Sequence, residues 1–183
     1  GGRPRLLSSS EAADYFGPDG QVGMDASPRL RGLALHKILS SVTTASDLPS
    51  ATEALVLSGE VAASERTTLE SFLAGKIASV RDLGWFPCGE GWKVLNEVPL
   101  IGTDGEVYRP DRVVISPSGE ATVIDYKFPG HADIPPSQAE GYRRQVRRYM
   151  GLFSAMGYGP VSGFLWYIRE GGGDCIDKVS ERI

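Results

Sequence analysis

The chain predicts an α/β or α+β domain with one mixed sheet flanked by helices. Three observations carry that expectation. Two runs of β-branched and aromatic residues, EVYRPDRVVI and ATVIDYKF, lie on either side of the turn sequence SPSGE. Apolar residues recur at helical spacing before these runs, in RLRGLALHKILSSV, and after them, from Gln138 to Met156. A last apolar run, VSGFLWYI, reads as a closing strand. Helices, three sequential strands, a long helix and a strand make a layered sandwich around one sheet.

Taken in order, residues 1–28 hold Pro4, Gly17, Pro18, Gly20, Gly23 and Pro28 without a sustained period. They read as a lead-in or wrapping segment in which SSSEAADYF is a short serine-capped helix. From Arg29 to Val42 a helix is expected around His36, and Asp47–Pro49 breaks it. Ser50 to Arg81 supplies one or two more helices, with Gly59 and Gly75 as soft interruptions. WKVLNEVPL reads as a strand entering the sheet, followed by strands over 106–115 and 121–128. PGHADIPPS is a proline-rich loop leading into the long helix. One domain therefore spans 29–183, with a helical part at 29–84 and the sheet and long helix at 92–170.

Composition narrows the class. With 183 residues, 41% hydrophobic and 23% charged, the chain suits a single soluble globular domain. No apolar run approaches the roughly 20 residues of a membrane span, so no membrane partner is expected. GGRPRLLSSS lacks the apolar core of a signal peptide. The start at Gly1 reads as a tag remnant or an internal boundary, and the chain as a piece of something longer. Cys88 and Cys175 make neither a disulfide framework nor a four-cysteine cluster, which suggests a reducing, cytoplasmic setting. A net charge of −4 argues against a broad DNA-wrapping surface, while a local basic track remains compatible with it.

The hairpin carries the chemistry. If Ile115 pairs with Ala121 across SPSGE, Asp111 stands opposite Asp125, and alternation puts Asp111, Asp125 and Lys127 on one face. Facing carboxylates repel. A divalent cation between them removes the repulsion, and oxygen ligands suit a hard ion such as Mg²⁺ or Mn²⁺. A lysine on the same face can position a water or steady charge on a phosphoryl oxygen. The same charges also suit a solvated rim, with Asp111 paired to Arg112 or Arg109 and Asp125 to Lys127.

The ordered motifs resemble those of the RecB-type nuclease group of the PD-(D/E)xK superfamily, with its restriction-endonuclease-like core. The resemblance is greatest to the C-terminal nuclease domain of AddA-like helicase–nucleases. RGLALHKIL supplies G-x-x-x-H at Gly32 and His36, and NEVPL supplies Glu97. RPDRVVI supplies Asp111 and Arg112, VIDYK supplies Asp125 and Lys127, and QVRRY supplies Gln145 and Tyr149. The resemblance covers residues 29–170.

It implies Mg²⁺- or Mn²⁺-dependent hydrolysis of DNA phosphodiester bonds, with double-strand break repair and recombination as the setting. Asp111 and Asp125 would be central metal ligands, with the Tyr126 backbone carbonyl and a His36 imidazole nitrogen completing the shell. Lys127 would be the catalytic lysine. Without the family, a lone histidine on an apolar helix reads as a core residue. Glu97 either joins the metal shell or orients a neighbour, with Glu106 as a competitor. Gln145 and Tyr149 lie on the stripe Gln138, Tyr142, Gln145, Tyr149, Leu152, which the family turns toward the site and the DNA. Arg143, Arg144, Arg147 and Arg148 flank that stripe as a basic patch for phosphates, or as a solvated face pairing with Glu140. His131 reads as a mobile surface residue, and Trp85, Trp92 and Trp166 as core.

Arg109–Pro110 departs from the glycine and small residue common in relatives, and suggests a bulge or edge. Two cysteines leave no iron–sulfur cluster expected. No G-x-x-x-x-G-K-[ST] loop is present, so ATP use belongs to helicase domains upstream in a longer chain. Those domains would feed single-stranded DNA to the site, with an AddB-like subunit as a further partner. The rival expectations are a non-cleaving DNA-binding or structural module, a self-standing RecB-family exonuclease, and a hydrolase of small phosphates.

Overall fold

The structure is a computed structural model that describes residues 26–181. The serine-capped helix expected in SSSEAADYF lies outside them. Helices α1 (Ala26–Ser40), α2 (Leu48–Leu57) and α3 (Arg66–Ser79) come first. Strands β1 (Lys93–Asn96), β2 (Leu100–Ile101), β3 (Val107–Tyr108), β4 (Arg112–Ile115) and β5 (Ala121–Gly130) follow. The long helix α4 (Pro136–Ala155) then leads to β6 (Val161–Arg169) and β7 (Cys175–Val179).

Five strands form one mixed sheet in the order β1-β4-β5-β6-β7, and β2 and β3 form a separate two-stranded sheet. β5 and β6 are parallel, joined by α4 as a crossover, and the other pairs are antiparallel. The expected register is found: Ile115 pairs with Ala121 and Arg112 with Ile124.

Period-2 alternation divides the core between two layers. Val114, Ile124, Tyr126, Trp166 and Ile168 pack against the first three helices through Leu35, Leu39, Leu73 and Ile77. Val113, Ile115, Val123, Leu165 and Tyr167 pack against α4 through Tyr142, Val146, Tyr149, Met150 and Phe153. Gly163 allows α4 to lie close on β6. A Cβ built there would stand 2.6 Å from Val146 Cγ1 and closer still to Met150 Sδ.

Several elements differ from expectation. Gly75 lies inside α3 without interrupting it, because Leu69, Leu73 and Ile77 hold the helix to the core from its other face. The strands expected over 92–100 and 106–115 are each cut in two, at Glu97–Pro99 and at Arg109–Pro110. Neither proline can donate a ladder hydrogen bond. The β1–β4 ladder therefore ends where the Glu97 N–H donates to the Asp111 carbonyl at 3.2 Å, and residues 98–110 leave the sheet as the β2–β3 hairpin. Trp85 and Trp166 are core residues, but Trp92 is 40% exposed beside edge strand β1. Strand β7 is unexpected from sequence. It is an edge strand that buries only Val179, so its CIDKV run carries no apolar signal.

Candidate metal centre

The sequence brings three separate segments to the point where β4 begins. His36 comes from α1, whose Leu35, Ile38 and Leu39 are fully buried and fix the helix against the sheet. The Arg31–Glu170 ion pair ties the same helix to the residue after β6. Glu97 ends the ladder of β1, and Asp111 stands one residue before β4. The His36 Nε2 lies 2.9 Å from Asp111 Oδ1, and its Nδ1 lies 3.3 Å from Glu97 Oε1. One ligand atom from each of His36, Glu97 and Asp111 falls within 4.8 Å of the others. Glu97 and Asp111 approach opposite nitrogens of the His36 ring, so an ion on the Nε2 side would be held by Asp111 while Glu97 orients the ring.

Asp125 is not among those three residues, and it is tied to them through the backbone. Its Oδ1 accepts the Asp111 N–H at 3.3 Å, while Asp111 Oδ2 accepts the Tyr126 N–H at 2.9 Å. Asp111 and Asp125 are each only 2% exposed. Two buried acids locked together by main-chain donors are costly as bare charges, and a cation or the His36 proton offsets that cost.

The register also accounts for Pro110. In an antiparallel ladder alternate facing pairs exchange both N–H···O bonds, and the Ser116–Glu120 bond puts Arg112–Ile124 and the next even-numbered position among them. Tyr126 would face Pro110, which has no N–H to give. The Asp111 carboxylate takes over the Tyr126 N–H, and the ordinary donor to the Tyr126 carbonyl is missing on the side of the cluster. Burial pushes the Tyr126 phenol well above its usual range, so it remains a neutral hydroxyl inside the helical layer. Its ring stands edge-on to His36 at 5.9 Å.

Glu97 has φ 51°, the left-handed region that disfavours a side chain. Strain of this kind persists where surrounding structure over-determines it. Here it turns the side chain back onto His36. Glu97→Gly should therefore cost no stability, because relief of about 1 kcal/mol offsets the added freedom of the unfolded chain. The same variant should bind divalent ions about 10-fold more weakly. Chemical denaturation and Mn²⁺ titration would measure the two effects separately.

Lys127 lies on the α4 side of the sheet as alternation requires. It is 6% exposed, and its Nζ sits 4.1 Å from the Tyr142 ring centroid. The solvated setting of a rim is not what Asp111, Asp125 and Lys127 have, because all three are buried. Arg112 departs from it further, because it points into the opposite layer and is 0% exposed. Its Nε donates to the Trp85 carbonyl at 2.7 Å. Nη1 donates to Val42 at 2.6 Å, and Nη2 to Thr43 at 2.6 Å. Its guanidinium lies 3.9 Å from the Phe86 ring centroid. Arg112 therefore fastens the chain just after α1 to the start of β4, which holds His36 against Asp111. Beside it, Asp47 is held below the usual carboxylate range by the Thr44 and Thr43 N–H groups, with the Arg112 charge a smaller contribution.

The α4 stripe faces inward as its spacing predicts. Tyr142 and Tyr149 are buried and Gln145 is half-buried. Tyr149 meets Tyr108 of the hairpin edge-on at 6.3 Å. The four arginines divide. Arg143 bonds Glu140 and Asp177, both at 2.9 Å. Arg147 bonds Glu140 at 3.0 Å and the Ser180 carbonyl at 2.9 Å. Both thus serve the β7 side of the fold. Arg144 and Arg148 are exposed, and the Arg148 charge acts on Asp104 and Tyr108 of the hairpin. Glu106 is exposed in the hairpin turn and is not in the cluster. His131 is exposed, but its loop is tied down rather than loose: Arg169 Nη1 donates to the Ala132 carbonyl at 2.7 Å, and Glu170 N–H to Gly130 at 3.2 Å.

No family model matches the chain, and no curated protein matches it. Among solved structures, the crystal structure of SSO0001 is similar to it with a TM-score of 0.38 and 21% identity. The match covers 81% of this chain and 67% of that one. No helix among the described residues is long and apolar enough to cross a membrane.

Proposed function

We propose that the chain is a Mg²⁺- or Mn²⁺-dependent DNA nuclease domain of the RecB type, working within a longer helicase–nuclease that processes DNA ends. The observation that carries this reading is the convergence of His36, Glu97 and Asp111 within 4.8 Å, with Asp125 bonded to the Asp111 main chain. His36, Asp111, Asp125 and the Tyr126 carbonyl would hold the ion. The ion would supply a water of lowered pKa and stabilise charge on the phosphate. Glu97 Oε1 lies 3.3 Å from His36 Nδ1 and would favour the tautomer that leaves Nε2 for coordination. Lys127, desolvated over Tyr142, donates to a phosphoryl oxygen or holds the attacking water. Gln145 and Tyr149 line the approach, and Arg144 and Arg148 offer phosphate contacts. ATP-using helicase domains, an AddB-like subunit and a cytoplasmic setting belong to the same proposal.

A second reading has one observation in its favour. His36 lies between two carboxylates, at 2.9 and 3.3 Å, and a protonated imidazole would offset one of their charges without any metal. The chain would then be a non-cleaving module. Calorimetric titration of Mn²⁺ into the parent and Asp125→Ala, alongside cleavage of labelled single-stranded DNA, separates the two. Saturable uptake and cutting that Asp125→Ala and Lys127→Ala both abolish support the nuclease. DNA binding without metal uptake sinks it.

A further inference from the structure

Beyond Lys127, strand β5 runs into a cavity of about 370 Å³ between the start of α1 and the start of α4. Its walls include Arg29, Phe128, Ile134, Gln138 and Tyr142, and Lys127 is shared with the metal centre. The arrangement forms a trough. His36 and Arg29 lie seven residues apart on the same helix, so α1 borders both the cluster and the cavity. The far wall, residues 129–135, is preformed. The Ala132 N–H donates to Pro129 at 3.0 Å, and Arg169 and Glu170 bond the same loop from the end of β6.

We propose that this cavity is a subsite for one unpaired nucleoside of the strand whose phosphate lies at the metal centre. This rests on the reading of the cluster as a phosphodiester-hydrolysing site and adds to it a determinant of which strands that site accepts. The volume is in the range of small-molecule pockets. It suits a single nucleoside and leaves no room for a pairing partner.

The chemistry of the walls fits a nucleobase. Phe128 and Ile134, both half-buried, offer apolar surface to its faces, beside the Tyr142 ring that Lys127 covers. Gln138 Nε2 donates to the Tyr142 hydroxyl at 2.6 Å, which orients the Gln138 carbonyl oxygen as an acceptor for polar base edges. Asp133, the one acid in the lining, disfavours a second phosphate inside and can accept from an exocyclic amino group. Arg29 and Lys127 offer positive charge to the flanking backbone. Single-strand binders commonly hold individual bases against side chains beside a charged track for the backbone, and an unpaired base gives up the least in entering such a pocket. A strand paired at the scissile position would therefore be rejected by shape rather than by sequence.

The test is binding of fluorescein-labelled oligodeoxynucleotides in Ca²⁺, compared among single strands, blunt hairpins and single strands with one abasic residue scanned along the length. The parent should prefer the intact single strand, and one abasic position should weaken binding about tenfold. Ile134→Trp, which fills the cavity, should lose both effects, and Gln138→Leu should reduce the abasic effect. Circular dichroism confirms that the variants are folded. Equal binding of single strand and hairpin, or abasic sensitivity that survives in both variants, overturns the subsite. Cleavage by the parent without abasic sensitivity removes the subsite and leaves the nuclease. Abasic sensitivity without any cleavage removes the nuclease and leaves the subsite. Failure to bind any oligonucleotide overturns both.

Discussion

Asp111→Asn is expected to remove the response of the protein to divalent ions. In the parent, Mn²⁺ at 100 times its dissociation constant should stabilise the fold by about 2.7 kcal/mol. For a domain of this size that corresponds to a rise in Tm of roughly 5–10 °C. Asparagine can still accept the Tyr126 N–H that Asp111 Oδ2 now holds at 2.9 Å, so the turn into β4 should survive. What it cannot supply is the second anionic oxygen facing His36 Nε2. The ion-induced rise in Tm should therefore vanish, and hydrolysis should fall by on the order of 10³-fold, as when one member of a cooperating catalytic set is removed. Thermal melts with and without Mn²⁺, followed by cleavage assays, measure both. A full Mn²⁺ shift in Asp111→Asn would overturn the assignment of the centre.

The second large effect concerns Arg112. Arg112→Met would leave the carbonyls of Thr43 and Trp85 without the donors that now reach them at 2.6 and 2.7 Å, while Val42 keeps only the Asn96 Nδ2 donor at 3.0 Å. Each buried acceptor left unsatisfied costs about 1–3 kcal/mol, and some relaxation is expected. The total should be on the order of 3–5 kcal/mol, or roughly 10 °C in Tm. Arg112→Lys retains the charge but loses the planar fork that serves three carbonyls together, so it should be intermediate in stability. Its metal affinity should fall out of proportion to its Tm, because the chain after α1 is what sets His36 against Asp111. Denaturant unfolding and Mn²⁺ calorimetry on the same samples check the pair. Equal metal affinity in Arg112→Lys and parent would reduce Arg112 to a core residue with no bearing on the centre.

Much of this arrangement was legible before any coordinates. The SPSGE loop set the register, because a five-residue connection between alternating strands leaves one pairing that buries both apolar sets. Helical spacing around His36 and along Gln138–Leu152 located α1 and α4 and their inward faces. Two features were hidden for physical reasons. Arg112 reads in sequence as a partner for Asp111, yet adjacent strand residues point to opposite faces, so it serves the other layer. The arginines of α4 read as one patch. Asp177 and Ser180, more than 30 residues away, claim Arg143 and Arg147 through a strand too polar to be recognised.

The sequence by itself therefore determined the mixed α/β architecture, the facing of Asp111 and Asp125, and the side of the sheet that Lys127 occupies. These follow from local periodicity and loop length. Only the tertiary structure decided that Glu97 meets His36 Nδ1 through a left-handed backbone, that Pro110 leaves the Tyr126 carbonyl without its ladder donor, and that a cavity opens beyond Lys127. Each depends on segments distant in the chain coming within a few ångströms, and such contacts leave no periodic trace in any one of them.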